Sequence, residues 1–258
     1  MKLTDCINKE YESIKESVIA PLLTSPPSKN EKKLLEAYHS FIRNPARITS
    51  FSDNQCGRTE TTYKAAKNEI GRSFNQYNGL GFYSHNNSLE YVSFGCEKFP
   101  LTPKDVKNFS IRIMGFQNNV TLCSTGIFLS SLINLIHFYG PKKERKKGRY
   151  EIYSPIDGKY PLLGLMNNGA HITVFGDCDY RIGSHMEKGT IIINGNVTDL
   201  LGHEMRGGKI IVTGNADGNW IGDYSRSGEI HINGIFKLHS PHVYAKVYHN
   251  NERIITET

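Results

Sequence analysis

Between Pro161 and Phe236 apolar and polar residues alternate in short bursts that return at a fixed spacing. Ile172 and Val174, Ile191 and Ile193, Ile210 and Val212, and Ile230 and Ile232 each flank one variable residue, and each pair stands just ahead of Gly176, Gly195, Gly214 or Gly234. A period of two residues predicts a strand. A second glycine column, Gly164, Gly183, Gly202 and Gly222, lies between these, and within either column the step is 19 or 20 residues. Cys178, Val197, Ala216 and Phe236 form another apolar column, and Leu163, Ile182, Leu201 and Ile221 a third. A unit this short, with three apolar edges, cannot bury them alone, so successive units must stack, like side chain over like, as the coils of a β-helix. Glycine is expected at the bends, where left-handed backbone costs it little. Asp177, Asn196 and Asn215 are expected to close those bends through Asx-type hydrogen bonds.

Upstream the spacing is first helical and then irregular, which predicts an α+β amino-terminal domain. Ile7, Tyr11, Ile14 and Val18 lie on one face of a helix over residues 3–20, capped by Thr4 and stopped by Pro21. After a turn at 24–28, Ser28 with Glu31 makes a capping-box pair, and Leu34, Leu35, Tyr38, Phe41 and Ile42 share a face up to Asn44-Pro45, so the chain begins with a helical hairpin. The poor pattern from 48 to 99 predicts only a helix over about 62–70 and strands over about 80–83 and 89–94. Thr102-Pro103-Lys104-Asp105 reads as a helix start or a turn, and the alternation of Phe109, Ile111 and Ile113 predicts a strand. Residues 121–139 are the most apolar stretch and are long enough to span a bilayer. Gly126, Asn134, His137 and five serine or threonine residues within that stretch favour a buried helix that seals the first coil. The layout expected is an α+β domain over 1–140, a basic linker over 141–149, the β-helix over 150–236, and a terminal hairpin or cap over 237–258 that turns at His249-Asn250-Asn251.

The run Gly207-Gly208-Lys209-Ile210-Ile211-Val212-Thr213-Gly214-Asn215-Ala216, then Trp220-Ile221-Gly222, with the steps Gly183-Ser184-His185-Met186 and Gly202-His203-Glu204-Met205, resembles a known repeat. It is similar to the glycine-repeat (GXGXG) domain that closes the large subunit of glutamate synthase, and to the glycine-repeat subunit of formylmethanofuran dehydrogenase. The resemblance covers about residues 148–236. It implies a right-handed parallel β-helix of about four coils, free of catalytic residues, that serves as a spacer or docking body in a large oxidoreductase. Ser225 stands where the pattern has methionine, which implies a looser last coil. The chemistry of glutamate synthase does not follow: residue 2 is lysine instead of an amino-terminal cysteine nucleophile, and the cysteines are too scattered for an iron–sulfur cluster.

Composition narrows the class without naming a function. With 258 residues, 38% of them hydrophobic and 22% charged, the chain reads as globular, with one large or two ordinary domains. A formal charge of +6 permits an anionic partner without requiring one. Cys6, Cys56, Cys96, Cys123 and Cys178 contain no CxxC pair and are odd in number, which favours a reducing, cytoplasmic setting. The amino terminus has no apolar core of the kind a secretory signal carries.

Candidate chemistry is sparse. His171, His185, His203 and His231 fall at different positions of the repeat, so they are expected apart and on the surface, without a metal. Asp177, Asp179, Asp199, Asp217 and Asp223 read as turn residues and miss the nonapeptide calcium pattern. Neither a Gly-x-Ser-x-Gly elbow nor a phosphate loop occurs. Cys56, between Gln55 and Gly57-Arg58, is the one cysteine whose neighbours favour a thiolate, though a bystander is the simpler reading. Lys142, Lys143, Lys146, Lys147 and Arg149 are candidate anion contacts, but no recognised nucleic-acid module or interleaved aromatic accompanies them, so a solvated linker is simpler. The expectation is therefore a scaffold or assembly subunit with structural glycines and no catalytic residue, cofactor or metal. Its expected partner is a protein or a second copy, and nucleic acid and membrane are set aside. Next comes an accessory subunit of an oxidoreductase or amidotransferase with a site in the amino-terminal half or at its junction with the solenoid, and last a nucleic-acid binder acting through the basic run.

Overall fold

A computed structural model describes residues 13, 15–43, 65, 66, 69, 82–85, 88–91, 100–116, 122–143, 148–155, 159–237 and 242–254. The helical part opens with one π-helical turn, Lys15–Ile19, which runs into α1 (Ala20–Thr24). Pro21 therefore starts an α turn where a stop was expected, because proline in the first turn removes only an N–H that has no partner there. Residues 3–12 of the expected helix lie outside the described residues. Helix α2 (Lys29–Ile42) has the expected cap, with Ser28 Oγ accepting from the Glu31 N–H and the Glu31 carboxylate accepting from the Ser28 N–H. Leu34, Tyr38 and Phe41 of its apolar face are fully buried. Ala65, Ala66 and Glu69 are helical, and β1 (Phe82–His85) pairs antiparallel with β2 (Ser88–Tyr91).

The strand expected at 109–113 is instead helix α3 (Pro103–Arg112), followed by a 3-10 turn, Ile113–Phe116. Two-residue alternation misleads there because Val106, Phe109, Ser110, Ile111 and Arg112 are all buried, so the helix is covered on more than one face. The Asp105 carboxylate accepts from both the N–H and the hydroxyl of Thr102, which fixes the start of α3. Arg112 then reaches Glu31: its Nε donates to Glu31 Oε2, Asn108 Nδ2 donates to Oε1 at 2.8 Å, and Arg112 Nη1 donates to Ser25 O at 3.0 Å. Burial alone would raise the Glu31 carboxyl, but the hydrogen bonds from Asn108, Arg112 and Ser28, with the Arg112 charge, hold it below its ordinary value. One ionised pair thus bolts α2, α3 and the segment before α2 together.

Helix α4 (Leu122–Tyr139) is the single described helix long and apolar enough to cross a membrane, and 78% of its apolar window is buried within the fold. Phe128 packs against Tyr38, Phe109 and Phe41 with ring centroids 5.4, 5.5 and 5.6 Å apart, and Tyr38 Oη meets Thr125 Oγ1 at 2.6 Å. Ser130, Asn134 and Gly126 face the solenoid. Ser130 Oγ donates to Leu162 O at 3.0 Å, Asn134 Nδ2 lies 3.3 Å from Leu165 O, and Gly126 is so close to the Pro161 carbonyl that no side chain fits between them.

The second half is a β-solenoid of about five turns. Strands β3 (Arg149–Tyr153), β4 (Asn168–Phe175), β5 (Lys188–Asn194), β6 (Lys209–Val212), β7 (Glu229–Ile232) and β8 (Lys246–His249) form six parallel rungs, and β9 (Glu252–Arg253) folds back antiparallel on β8. Two rungs exceed the repeat legible in sequence. The rung Arg149–Tyr153 starts one residue ahead of the expected β-helix boundary at 150, and the tail adds a parallel rung before its hairpin turns at Asn250-Asn251. Register pairs Tyr150, Ile172, Ile191, Ile210, Ile230 and Val247 in one inward column, each 1% exposed or less, and Ile152, Val174, Ile193, Val212 and Ile232 in the next. Cys178, Val197 and Ala216, and Leu163, Ile182, Leu201 and Ile221, line the other two walls. One contiguous core runs from Leu34 through the solenoid to Ala245.

Two kinds of crowding demand the glycines. At Gly183, with φ +69°, an added Cβ would lie 2.6 Å from Ile210 Cδ1, and at Gly202, with φ +67°, 2.8 Å from Ile230 Cδ1. At Gly195, Gly214 and Gly234 a Cβ would strike the backbone of the preceding coil's glycine, so close approach explains them better than bend conformation. The residues that follow also differ from expectation, because they bond between coils and not within one bend. Asp177 Oδ1 accepts from Asn196 N at 2.8 Å, Asn196 Oδ1 from Asn215 N at 2.8 Å, and Asn215 Oδ1 from Ile235 N at 2.9 Å. Ser225 does not loosen the last coil. Its hydroxyl accepts from Ala245 N at 3.0 Å and Tyr244 N at 3.2 Å, tying down the segment that closes the solenoid.

Gly183→Ala is expected to destabilise the chain by about 2 to 4 kcal/mol, combining left-handed strain with overpacking. Adding Ile210→Val, which deletes the obstructing methyl, should return the packing share and leave the backbone share, as read by urea denaturation of both variants. Arg112→Ala should cost about 3 to 5 kcal/mol by stranding the Glu31 carboxylate, and the same titration measures it.

Candidate functional site

The solenoid interior is filled, but a groove lies outside it, at the junction with the helical part. It encloses about 890 Å3 between the start of α3 (Pro103, Lys104, Lys107) and the outward faces of β3, β4 and β5 (Arg149, Glu151, His171, Thr173, Thr190, Ile192). The alternation that sends Tyr150 and Ile152 inward sends Arg149 and Glu151 outward, and register sets His171 beside Arg149 and Thr173 beside Glu151. Ser110 Oγ of α3 accepts from Tyr153 N at 3.3 Å, which holds the helix against the first rung. Among the described residues three cations thus share the groove with one carboxylate, and Lys107 Nζ already donates to Glu151 Oε2 at 2.6 Å. Burial would lower the Lys107 ammonium, but its bond to Glu151 and its nearness to Tyr153 and Glu151 outweigh that and raise it, so it stays charged.

A second constellation lies at one corner of the middle coils. His185 Nδ1 is 3.5 Å from Glu204 Oε2, His203 Nδ1 is 3.7 Å from Glu204 Oε1, and His203 Nε2 is 4.0 Å from Asp223 Oδ2. The rings of His185 and His203 are 6.4 Å apart, Tyr224 follows at 6.2 Å, and His242 stacks on Tyr224 at 5.2 Å. The expectation that the repeat keeps its histidines apart and on the surface fails here. His185 and Glu204 are backbone equivalents, each with φ 54°, yet an imidazole is broad enough to bridge the one-residue offset to His203. His203 is only 7% exposed, and its Nδ1 has no hydrogen-bond partner among the described residues. Burial, then the nearby Arg181, push the His203 imidazolium down more than Glu204 and Asp223 raise it, so the ring is neutral at pH 7. Among the described residues no group of three potential ligands is placed to hold a metal.

Of the candidate anion contacts, Lys142 and Lys143 are exposed just past α4, Arg149 stands in the groove, and Lys146 and Lys147 lie outside the described residues, as does Cys56. Cys123 is partly buried 3.1 Å from Tyr180 Oη, and Cys178 is in the core; burial pushes both thiols up, so neither is a ready nucleophile. Asp199 is a turn residue, with one carboxylate oxygen accepting from the N–H groups of Leu200, Asn219 and Trp220. Sequence reasoning missed Lys104, Lys107, Glu151 and His171 as neighbours. The i, i+3 spacing of the two lysines carries meaning only once residues 103–112 are read as a helix.

Comparison of the chain with protein-family models, with curated proteins and with solved structures finds no match. Its function must be argued from its own surface.

The buried imidazole makes a pH prediction. The His203 pKa is lower in the folded chain than its ordinary 6.5, so as pH falls below about 6.5 the unfolded chain takes up the proton first and stability declines. The loss should continue until pH passes the folded pKa and be absent well above 6.5. His203→Gln should flatten the slope of unfolding free energy between about pH 6.5 and 5. Equal slopes in urea titrations of the two proteins would show that His203 does not carry the dependence.

Proposed function

We propose that the chain is a non-catalytic β-solenoid scaffold that docks into a larger protein assembly. The observation that supports this most is the placing of exposed large apolar side chains. Of five such residues among those described, four, Trp220, Tyr224, Ile235 and Tyr244, 41, 57, 73 and 68% exposed, belong to the closing coils and the segment that seals them, and the fifth, Leu23, lies in α1. Aromatic residues held on a rigid frame are what protein interfaces favour as anchors. An accessory role in an oxidoreductase or amidotransferase is a narrower form of the same reading, and the likeness of the glycine repeat is its support.

One observation favours a second reading, an enzyme with its site at the junction. His171 and Glu151 share the groove, as a general base and its orienting carboxylate would. Glu151 is committed to Lys107, however, and the described thiols are shielded, so binding remains the better account.

Native mass spectrometry of the tagged chain, purified from its own cells, is expected to give an assembly of defined stoichiometry. Tyr224→Ala with Tyr244→Ala should release the partner while leaving the thermal melt nearly unchanged, since both side chains are largely exposed. A lone monomer from those cells would sink the scaffold reading.

A further inference from the structure

We infer that the groove between α3 and rungs β3 to β5 binds an acidic segment of a protein partner in extended form, an inference that rests on the docking role proposed above. Charge is the first argument. Among the described residues Lys104, Lys107 and Arg149 face one carboxylate, Glu151, which Lys107 already engages, so these side chains leave an excess of positive charge. A segment carrying carboxylates supplies the missing anions.

Shape is the second. Three parallel rungs about 4.8 Å apart present a floor roughly 10 Å wide, and an extended chain rises about 3.3 Å per residue, so roughly three residues cross it. Residues i and i+2 of such a segment point to the same side, about 6.6 Å apart. Two acidic residues in alternate positions therefore face the sheet together, towards Arg149 on β3 and Lys104 on the helical wall. Half-buried Thr173 and Thr190 offer hydroxyls to the segment's backbone, and half-buried Ile192 offers an apolar seat for a neighbouring side chain.

The groove suits a nucleic acid less well, because among the described residues its lining offers a single open ring, the exposed imidazole of His171, where a run of bases needs several on which to stack. Tyr150 is 1% exposed, and the neighbouring Tyr153 ring is covered by Lys107 Nζ, 5.5 Å from its centroid, and stacked on Phe175 at 5.0 Å.

The test is fluorescence anisotropy with the full chain and a fluorescein-labelled peptide of alternating glutamate and valine. Saturable binding is expected that weakens as salt rises, falls about tenfold or more in Lys104→Glu with Arg149→Glu, and stays within about twofold in Lys142→Glu with Lys143→Glu, which reverses equal charge away from the groove. All four side chains are exposed, so both variants should fold, and their thermal melts check this. No saturable binding, equal loss in both variants, or equal affinity for the glutamine–valine counterpart would overturn the inference. So would displacement of the peptide by pyrophosphate or oligothymidylate at lower concentrations, which would give the groove to a phosphate ligand. If the peptide fails while the native assembly persists, the docking role stands and the groove assignment falls. If the peptide binds but no assembly exists, the reverse holds.

Discussion

Ile210 Cδ1 occupies the space where a side chain at Gly183 would begin, and Ile230 Cδ1 does the same at Gly202. This interlock sets the geometry of the solenoid. The isoleucine column needs an empty place at the facing corner, and the glycine column supplies it once per coil. A strand slipped by one residue would turn the isoleucines outward and bring branched side chains against the corners, so the register is fixed from both directions. Where the step lengthens to 20 residues, the interlock forces the extra residue out between Ala216 and Ile221. That segment rests on the preceding coil, where Asp199 Oδ1 accepts from Asn219 N and Trp220 N at 3.0 and 2.9 Å. Trp220, 41% exposed, stands beside that extra residue.

A stack of coils has two open ends, each with unpaired backbone and apolar surface, and here they are closed by different means. At the front α3 and α4 do the work, through Ser110 Oγ on the Tyr153 N–H and through Ser130 and Asn134 on carbonyls of the first turn. At the back Val243, Ala245 and Val247 cover the last coil. The column that holds Met186 and Met205 in the middle coils ends in polar residues on both sides. Asn167 bonds both backbone groups of Ala170, and Ser225 bonds the N–H groups of Tyr244 and Ala245. What looks like decay of the repeat is the chemistry of its termini.

The inward face of the solenoid was legible because it is periodic. Like residues recur at the same step, and a buried column requires that. The capping box at Ser28 and Glu31 was legible because it is local. Helix α3 was not, since burial on several faces erases the helical period and leaves a chance alternation at 109, 111 and 113. The groove followed it out of reach, for its two lysines sit on that helix and its other residues lie on rungs 40 or more positions later. The histidine corner was hidden for another reason. Alignment of the repeat records backbone equivalence, and His185 and His203 meet through the reach of their rings, one residue out of step.

Self-stacking constrains only the residues that point inward, and this bears on where function can reside. The outward neighbours of the isoleucine column run Arg149, His171, Thr190, Lys209, Glu229 and Lys246, a mixture with no common character. Farther along this face Lys209 pairs with Glu229 at 3.3 Å, and His231 stacks on Tyr248 at 4.3 Å. Among the described residues, positive charge accumulates where α3 adds Lys104 and Lys107 beside Arg149, at the rung whose outer edge that helix overhangs. A helix held there only to close the coil would need its buried contacts with β3 and nothing more. Lys107 helps to hold the cap through Glu151, but Lys104 at the helix start serves neither the core nor the cap by any described contact, so the groove it borders with Arg149 is the feature of this end that folding alone leaves unexplained.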